Sequence, residues 1–90
     1  MRVDKLLDVL CIVKHRNIAK KACDNGFVKV NDQIAKPAKD VKTGDLVEVA
    51  LYGFILKFEM TEIPSKHIKK SDAKNYYKLV VKNQVNENNK

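Results

Sequence analysis

The residues of this chain best equipped for chemistry are its cations, and the chemistry they suit is the gripping of anions. Residues 13–31 read VKHRNIAKKACDNGFVKVN and hold Lys14, His15, Arg16, Lys20, Lys21 and Lys29, with no acid before Asp24. A second acid-free run, residues 63–71, holds Lys66, His67, Lys69 and Lys70. Of 18 basic residues only Arg2 and Arg16 are arginines. A guanidinium is a planar fork of donors that meets a phosphate with two prongs, whereas a lysine ammonium is a point charge. In a chain that otherwise uses lysine, those two positions are read as chosen for the fork.

The same inventory argues against catalysis. Ser65 and Ser71 are the only serines, and neither neighbours a convincing base. The 3 glycines form no phosphate-cradling loop. The carboxylates are scattered over turns and helix faces. Cys11 and Cys23 lack metal-type spacing and a histidine pair to complete a site, so they are read as small buried residues of a reducing cytosol. No enzyme, cofactor or metal is expected. No run approaches the ~18 apolar residues of a membrane span, and the opening MRVDKLLDVLCIV is broken by Asp4 and Asp8, unlike a signal peptide. The expected location is cytoplasmic, away from membranes.

Ninety residues allow one domain, and a net charge of +7 with a pI near 9.5 favours a polyanionic partner. The aromatic residues are not interleaved with the basic ones, so a stacking platform for single strands is not expected. No helix carries polar base readers. Folded RNA, read by shape and backbone, is the polyanion that fits.

These cations need elements to hold them. Val3, Leu6, Leu7, Leu10 and Cys11 repeat at helical spacing and predict a first helix over residues 3–12, with Asp4, Lys5 and Asp8 on its polar side. A second helix is expected over residues 17–24, with Asn17 the better cap and His15 the alternative. It buries Ile18, Ala19, Ala22 and Cys23 and closes at Gly26. Alternation predicts a hairpin over residues 27–36 turning at Asn31-Asp32, and a second over residues 46–63 turning at Tyr52-Gly53-Phe54. Ser71 is expected to cap a short C-terminal helix with Ala73, Tyr76, Tyr77, Val80 and Val81 on one face. The tyrosines are read as packing residues. One domain over residues 1–82 and a polar, disordered tail over residues 83–90 complete the expectation.

"RVDKLL", "VKHRNIAKKACDNGFVKVN" and "VKTGDLVEV", in this order and spacing, resemble the S4 RNA-binding domain, over about residues 2–49. The resemblance implies an α+β fold, with two antiparallel helices packed on a small bent antiparallel sheet. It implies RNA contacts at Arg2, Lys5, Lys14, His15, Arg16, Lys20, Lys29 and Asn31, with Lys21 added from its place on the helix. Two positions depart from the family pattern. His15 stands where Ser or Thr is usual, and Asn31-Asp32 where Asn-Gly is usual. The stand-alone length, the start and the A-x-x-x-Y segment from Ala73 to Tyr77 are similar to the RqcP group, relatives of the fifteen-kilodalton ribosome-associated heat-shock protein. That implies a monomer that binds the large ribosomal subunit obstructed by peptidyl-tRNA, touching rRNA and tRNA, beside an RqcH-type tailing factor. The alternatives are an rRNA-binding assembly or heat-shock factor, and a basic module that docks an acidic protein.

Overall fold

The computed structural model describes residues 1–51, 53–65 and 67–84. Two helices open the chain, α1 (Val3–Val9) and α2 (Arg16–Asp24). Strands β1 (Val28–Val30), β2 (Gln33–Ile34), β3 (Leu46–Leu51) and β4 (Phe54–Met60) follow, then a 3-10 helix (Lys70–Tyr76) and β5 (Tyr77–Gln84). The strands form one antiparallel sheet in the order β2-β1-β3-β4-β5. The expected α+β class stands.

Strand alternation decides which side of the sheet is covered. Val28, Val30, Val47, Val49, Phe58 and Met60 are buried together with Val3, Leu6, Leu7 and Leu10 of the α1 segment and with Ala19, Ala22 and Cys23 of α2. Helices of 7 and 9 residues are too short to persist alone in water. Each fully buried Leu or Val contributes about 1.5–3 kcal/mol, against tenths from the charges at a helix end. Packing on the sheet therefore holds both helices.

The C-terminal segment differs from expectation. The short helix is present as a 3-10 helix, but Tyr77 to Val81 lie in β5 and not on a helix face. Without β5 the far edge of β4, which carries the buried Phe58 and Met60, would have unpaired backbone groups beside the core. β5 pairs along it from Met60↔Tyr77 to Phe54↔Gln84, with one register shift between Lys57 and Phe58. Tyr77 packs its ring on Phe58, centroids 4.8 Å apart, and its partial burial raises the phenol's pKa. Of the tail read as disordered, residues 83 and 84 belong to β5, and residues 85–90 lie outside the described residues.

Both helices end in the same backbone motif, with different residues. Gly26 closes α2 at φ 78°, with Gly26 N–H donating to Cys23 O at 3.0 Å and Phe27 N–H to Ala22 O at 2.8 Å. Cys11 closes α1 at φ 60°, its N–H donating to Asp8 O at 3.0 Å and Ile12 N–H to Leu7 O at 3.0 Å. Cys11 thus sits past the helix, not on its apolar face. A Cβ in this left-handed region costs about 1–2 kcal/mol that glycine avoids. Cys11→Gly is expected to raise the urea midpoint by the equivalent of about 0.5–1 kcal/mol, net of glycine's extra freedom when unfolded. Cys11→Val should lower it. A midpoint that falls with glycine refutes the strain.

The tip of the first hairpin is a two-residue loop in which Asn31 (φ 52°) and Asp32 (φ 67°) are both left-handed. Asn31 and Asp32 therefore form the hairpin turn that Asn-Gly usually makes. Asn31 is held on both sides: its Oδ1 accepts Leu46 N–H at 3.0 Å and its amide donates to Asp45 at 3.2 Å. Asp45 also accepts Lys42 N–H at 2.9 Å, and these bonds lower its pKa, that from Lys42 most.

Candidate nucleic-acid interface

The two arginines converge on one carboxylate. Asp4, the second residue of α1, is fully buried. Arg2, the residue capping α1, donates to it from Nε at 3.2 Å and from Nη2 at 3.1 Å. Arg16, the first residue of α2, donates from Nε at 3.2 Å. The Lys5 backbone N–H adds a fourth bond at 2.7 Å. Asp4 had been placed on the polar side of α1; in the fold Asp4 meets Arg16 at the start of α2 and is enclosed, while Lys5 of that side stays exposed.

A buried carboxylate requires this many partners, because a lone charge out of water costs several kcal/mol. The arrangement also fixes the arginines. Two guanidiniums against one carboxylate leave one positive charge in excess. Arg16 uses only Nε on Asp4, so both its Nη groups have no partner among the described residues, and the side chain is 38% exposed. An arginine whose position is already set loses less freedom when it meets a phosphate. Sequence reasoning missed Asp4; the signal available was an acid two residues from one of only two arginines.

The start of α1 is held from a distance. Val3 N–H donates to Lys39 O at 2.8 Å and Asp4 N–H to Pro37 O at 3.3 Å. The terminal ammonium pairs with Asp40 at 2.8 Å and lowers the pKa of that acid. The loop between β2 and β3 is thereby tied to the arginine site.

Arg16 and Lys20 stand one turn apart on one flank of α2. Lys21 lies further round its outer face, and Lys5 faces outward from α1; all three lysines are exposed. His15 takes the capping position of α2, where Asn17 had been preferred, and makes no side-chain cap bond. Lys14 follows the α1 turn and lines a pocket of about 440 Å3 with Cys11, Ile12, Val13 and Lys70. Residues of the two acid-free runs, 56 positions apart, therefore meet at one place; Lys66 lies outside the described residues.

Two predicted contacts are not brought to this cluster. Lys29 lies between the buried Val28 and Val30, on the opposite face of the sheet, paired in register with Glu48. Asn31 has its side chain engaged by Asp45 and by the Leu46 N–H, which pins the hairpin tip to the start of β3. Cys11 and Cys23 are free thiols. Burial, and then the charges of Asp4 and Asp24, push the Cys23 thiol up to about 11, so it stays protonated near neutrality.

Residues 1–47, which carry α1, α2, the first hairpin and all nine predicted contacts, match the S4 domain family. The chain belongs to the S4 domain family. The S4 relatives extend beyond that segment. A protein of Streptococcus pneumoniae named RQC P-site tRNA stabilizing factor is 38% identical over 98% of this chain and 99% of its own length. Proteins of the same name are 36% identical in Helicobacter pylori J99, over 84% and 92%, and 32% identical in Bacillus subtilis, over 97% and 100%. Among solved structures, the S4 fold here is similar to Vibrio cholerae heat shock protein 15, at TM-score 0.83 and 25% identity, over 89% of this chain and 81% of that one. It is similar also to the hypothetical protein HP1423 in solution, at TM-score 0.77 and 31% identity, over 92% and 100%. Within S4 proteins, the chain thus belongs to the family of these stabilizing factors.

Proposed function

We propose that the protein is a noncatalytic, cytoplasmic RNA-binding factor that stabilises P-site tRNA on large ribosomal subunits obstructed by peptidyl-tRNA. The observation that carries this reading is full-length similarity to proteins named RQC P-site tRNA stabilizing factor. The geometry supports it: Arg2, Arg16, Lys5, Lys14, Lys20 and Lys21 gather cations around α2 and the start of α1. The S4 unit of residues 1–82 grips structured RNA by its backbone, rRNA on one side and tRNA on the other. Off the ribosome it is a monomer. On it, it works beside an RqcH-type tailing factor by keeping the tRNA in place.

Two simultaneous RNA contacts explain how one small module achieves selectivity. Once rRNA holds the domain, tRNA is met at high effective concentration, and affinity rises about 10²-fold or more without new chemistry. In a gradient of cell extract the protein is therefore expected with large subunits, and to leave them when puromycin removes peptidyl-tRNA. Equal retention on emptied subunits refutes the reading and favours an assembly factor that binds bare rRNA.

A further inference from the structure

The loop that holds the start of α1 also walls a cavity of about 430 Å3 against the edge of the sheet. This lies within the range of about 300–1,000 Å3 usual for small-ligand sites. Its apolar lining comes from the buried Val30 and Ala35, from Ala38 and from Ile34, which is 67% exposed. Gln33, Lys36 and Lys39 line it as well, and all three are exposed. β2, which carries Gln33 and Ile34, is an edge strand of the sheet.

We infer that this cavity takes one unpaired nucleotide of the RNA that the protein binds, its base on Ile34 and its phosphates toward Lys36 and Lys39. The inference rests on the RNA-binding reading above. Charge complementarity selects the occupant. The two lysines bring positive charge to the cavity, while Asp40 of the same loop is paired with the terminal ammonium and Asp32 of the hairpin turn with Lys57 at 3.2 Å. An acidic peptide would satisfy the lysines. A nucleotide in addition matches an apolar lining beside a side-chain amide, that of Gln33, which can both donate to and accept from a base edge. The site is also joined to the arginine cluster, since the carbonyls of Pro37 and Lys39 hold the backbone N–H groups of Asp4 and Val3.

Apolar and ionic contacts leave different signatures against salt. Binding to large subunits carrying peptidyl-tRNA is measured by pelleting over a salt series. Ile34→Ala, at an exposed position, is expected to keep the parent's circular dichroism and melting temperature and to weaken binding about fivefold or more, with an unchanged salt slope. Lys36→Ala with Lys39→Ala should weaken it and flatten the slope by about one to two units. A photoreactive side chain at position 34 should crosslink to RNA. Affinity within twofold of the parent for Ile34→Ala, or a crosslink to a ribosomal protein, overturns the nucleotide site alone. A parent protein that does not bind obstructed subunits sinks the RNA-binding reading, and the nucleotide site with it.

Discussion

Replacing both arginines, Arg2→Ala with Arg16→Ala, is expected to lower the unfolding free energy by about 3 kcal/mol and to abolish RNA binding. The first effect follows from Asp4. With both guanidiniums gone, a fully buried carboxylate keeps only the Lys5 N–H. Leaving one partner of a buried pair uncompensated costs about 3–5 kcal/mol. The low end applies because the arginines themselves are partly exposed, at 47% and 38%. Against a total stability of about 5–15 kcal/mol, this is a large share. Arg16→Ala alone should show a smaller loss of the same kind, because Arg2 still holds Asp4.

A third substitution separates folding from function. Asp4→Asn in the doubly substituted background removes the stranded charge while its amide oxygen can still accept Lys5 N–H. Stability should recover most of the loss, and RNA binding should not recover at all. If binding returned with stability, the arginines would be scaffold and not contacts. If the double variant were as stable as the parent by urea titration, the triad described above would have no energetic weight.

Much of the fold was legible in local pattern, because its core faces follow simple periods. The 3.6-residue spacing of Val3, Leu6, Leu7 and Leu10 and the alternation of Val28, Val30, Val47 and Val49 survive intact in the structure. The C-terminal segment failed because Tyr76, Tyr77, Val80 and Val81 satisfy helical spacing, while Tyr77, Leu79 and Val81 satisfy strand spacing equally well. What decides is the open edge of β4, a non-local demand that no window of sequence contains. The site divides in the same way. Exposed lysines are visible as an acid-free run. The burial of Asp4 depends on Arg16, twelve residues away, and on the loop of Pro37 and Lys39. Lys29 and Asn31 were assigned by position in a motif, and their facing and bonding depend on the register with β3.

The second large effect is expected against salt. Raising monovalent salt from 50 to 200 mM should weaken binding to obstructed large subunits by about 60- to 1,000-fold, a slope of about −3 to −5 in log K against log salt. Each phosphate neutralised on RNA releases counterions worth about −0.7 to −0.9 of slope, so this range corresponds to roughly four to six phosphates. The structure limits which cations supply them. Arg2 and Arg16 share the charge of Asp4 and count together for about one. Lys29, beside Glu48 on the other face, is left out. Lys5, Lys14, Lys20, Lys21 and Lys70 remain, joined by Lys36 and Lys39 where the cavity beside β2 holds its nucleotide; Lys14 and Lys70 line one pocket, so they act on neighbouring phosphates and not on two distant ones. Lys20→Ala with Lys21→Ala should flatten the slope by about one to two units. Lys14→Ala with Lys70→Ala should do the same, although the two belong to separate runs of the sequence. If the second pair leaves the slope unchanged, Lys14 and Lys70 are both solvated surface and the interface is confined to α2 and the start of α1. A parent slope near zero would mean that the cations meet a protein, and the basic-module alternative would stand.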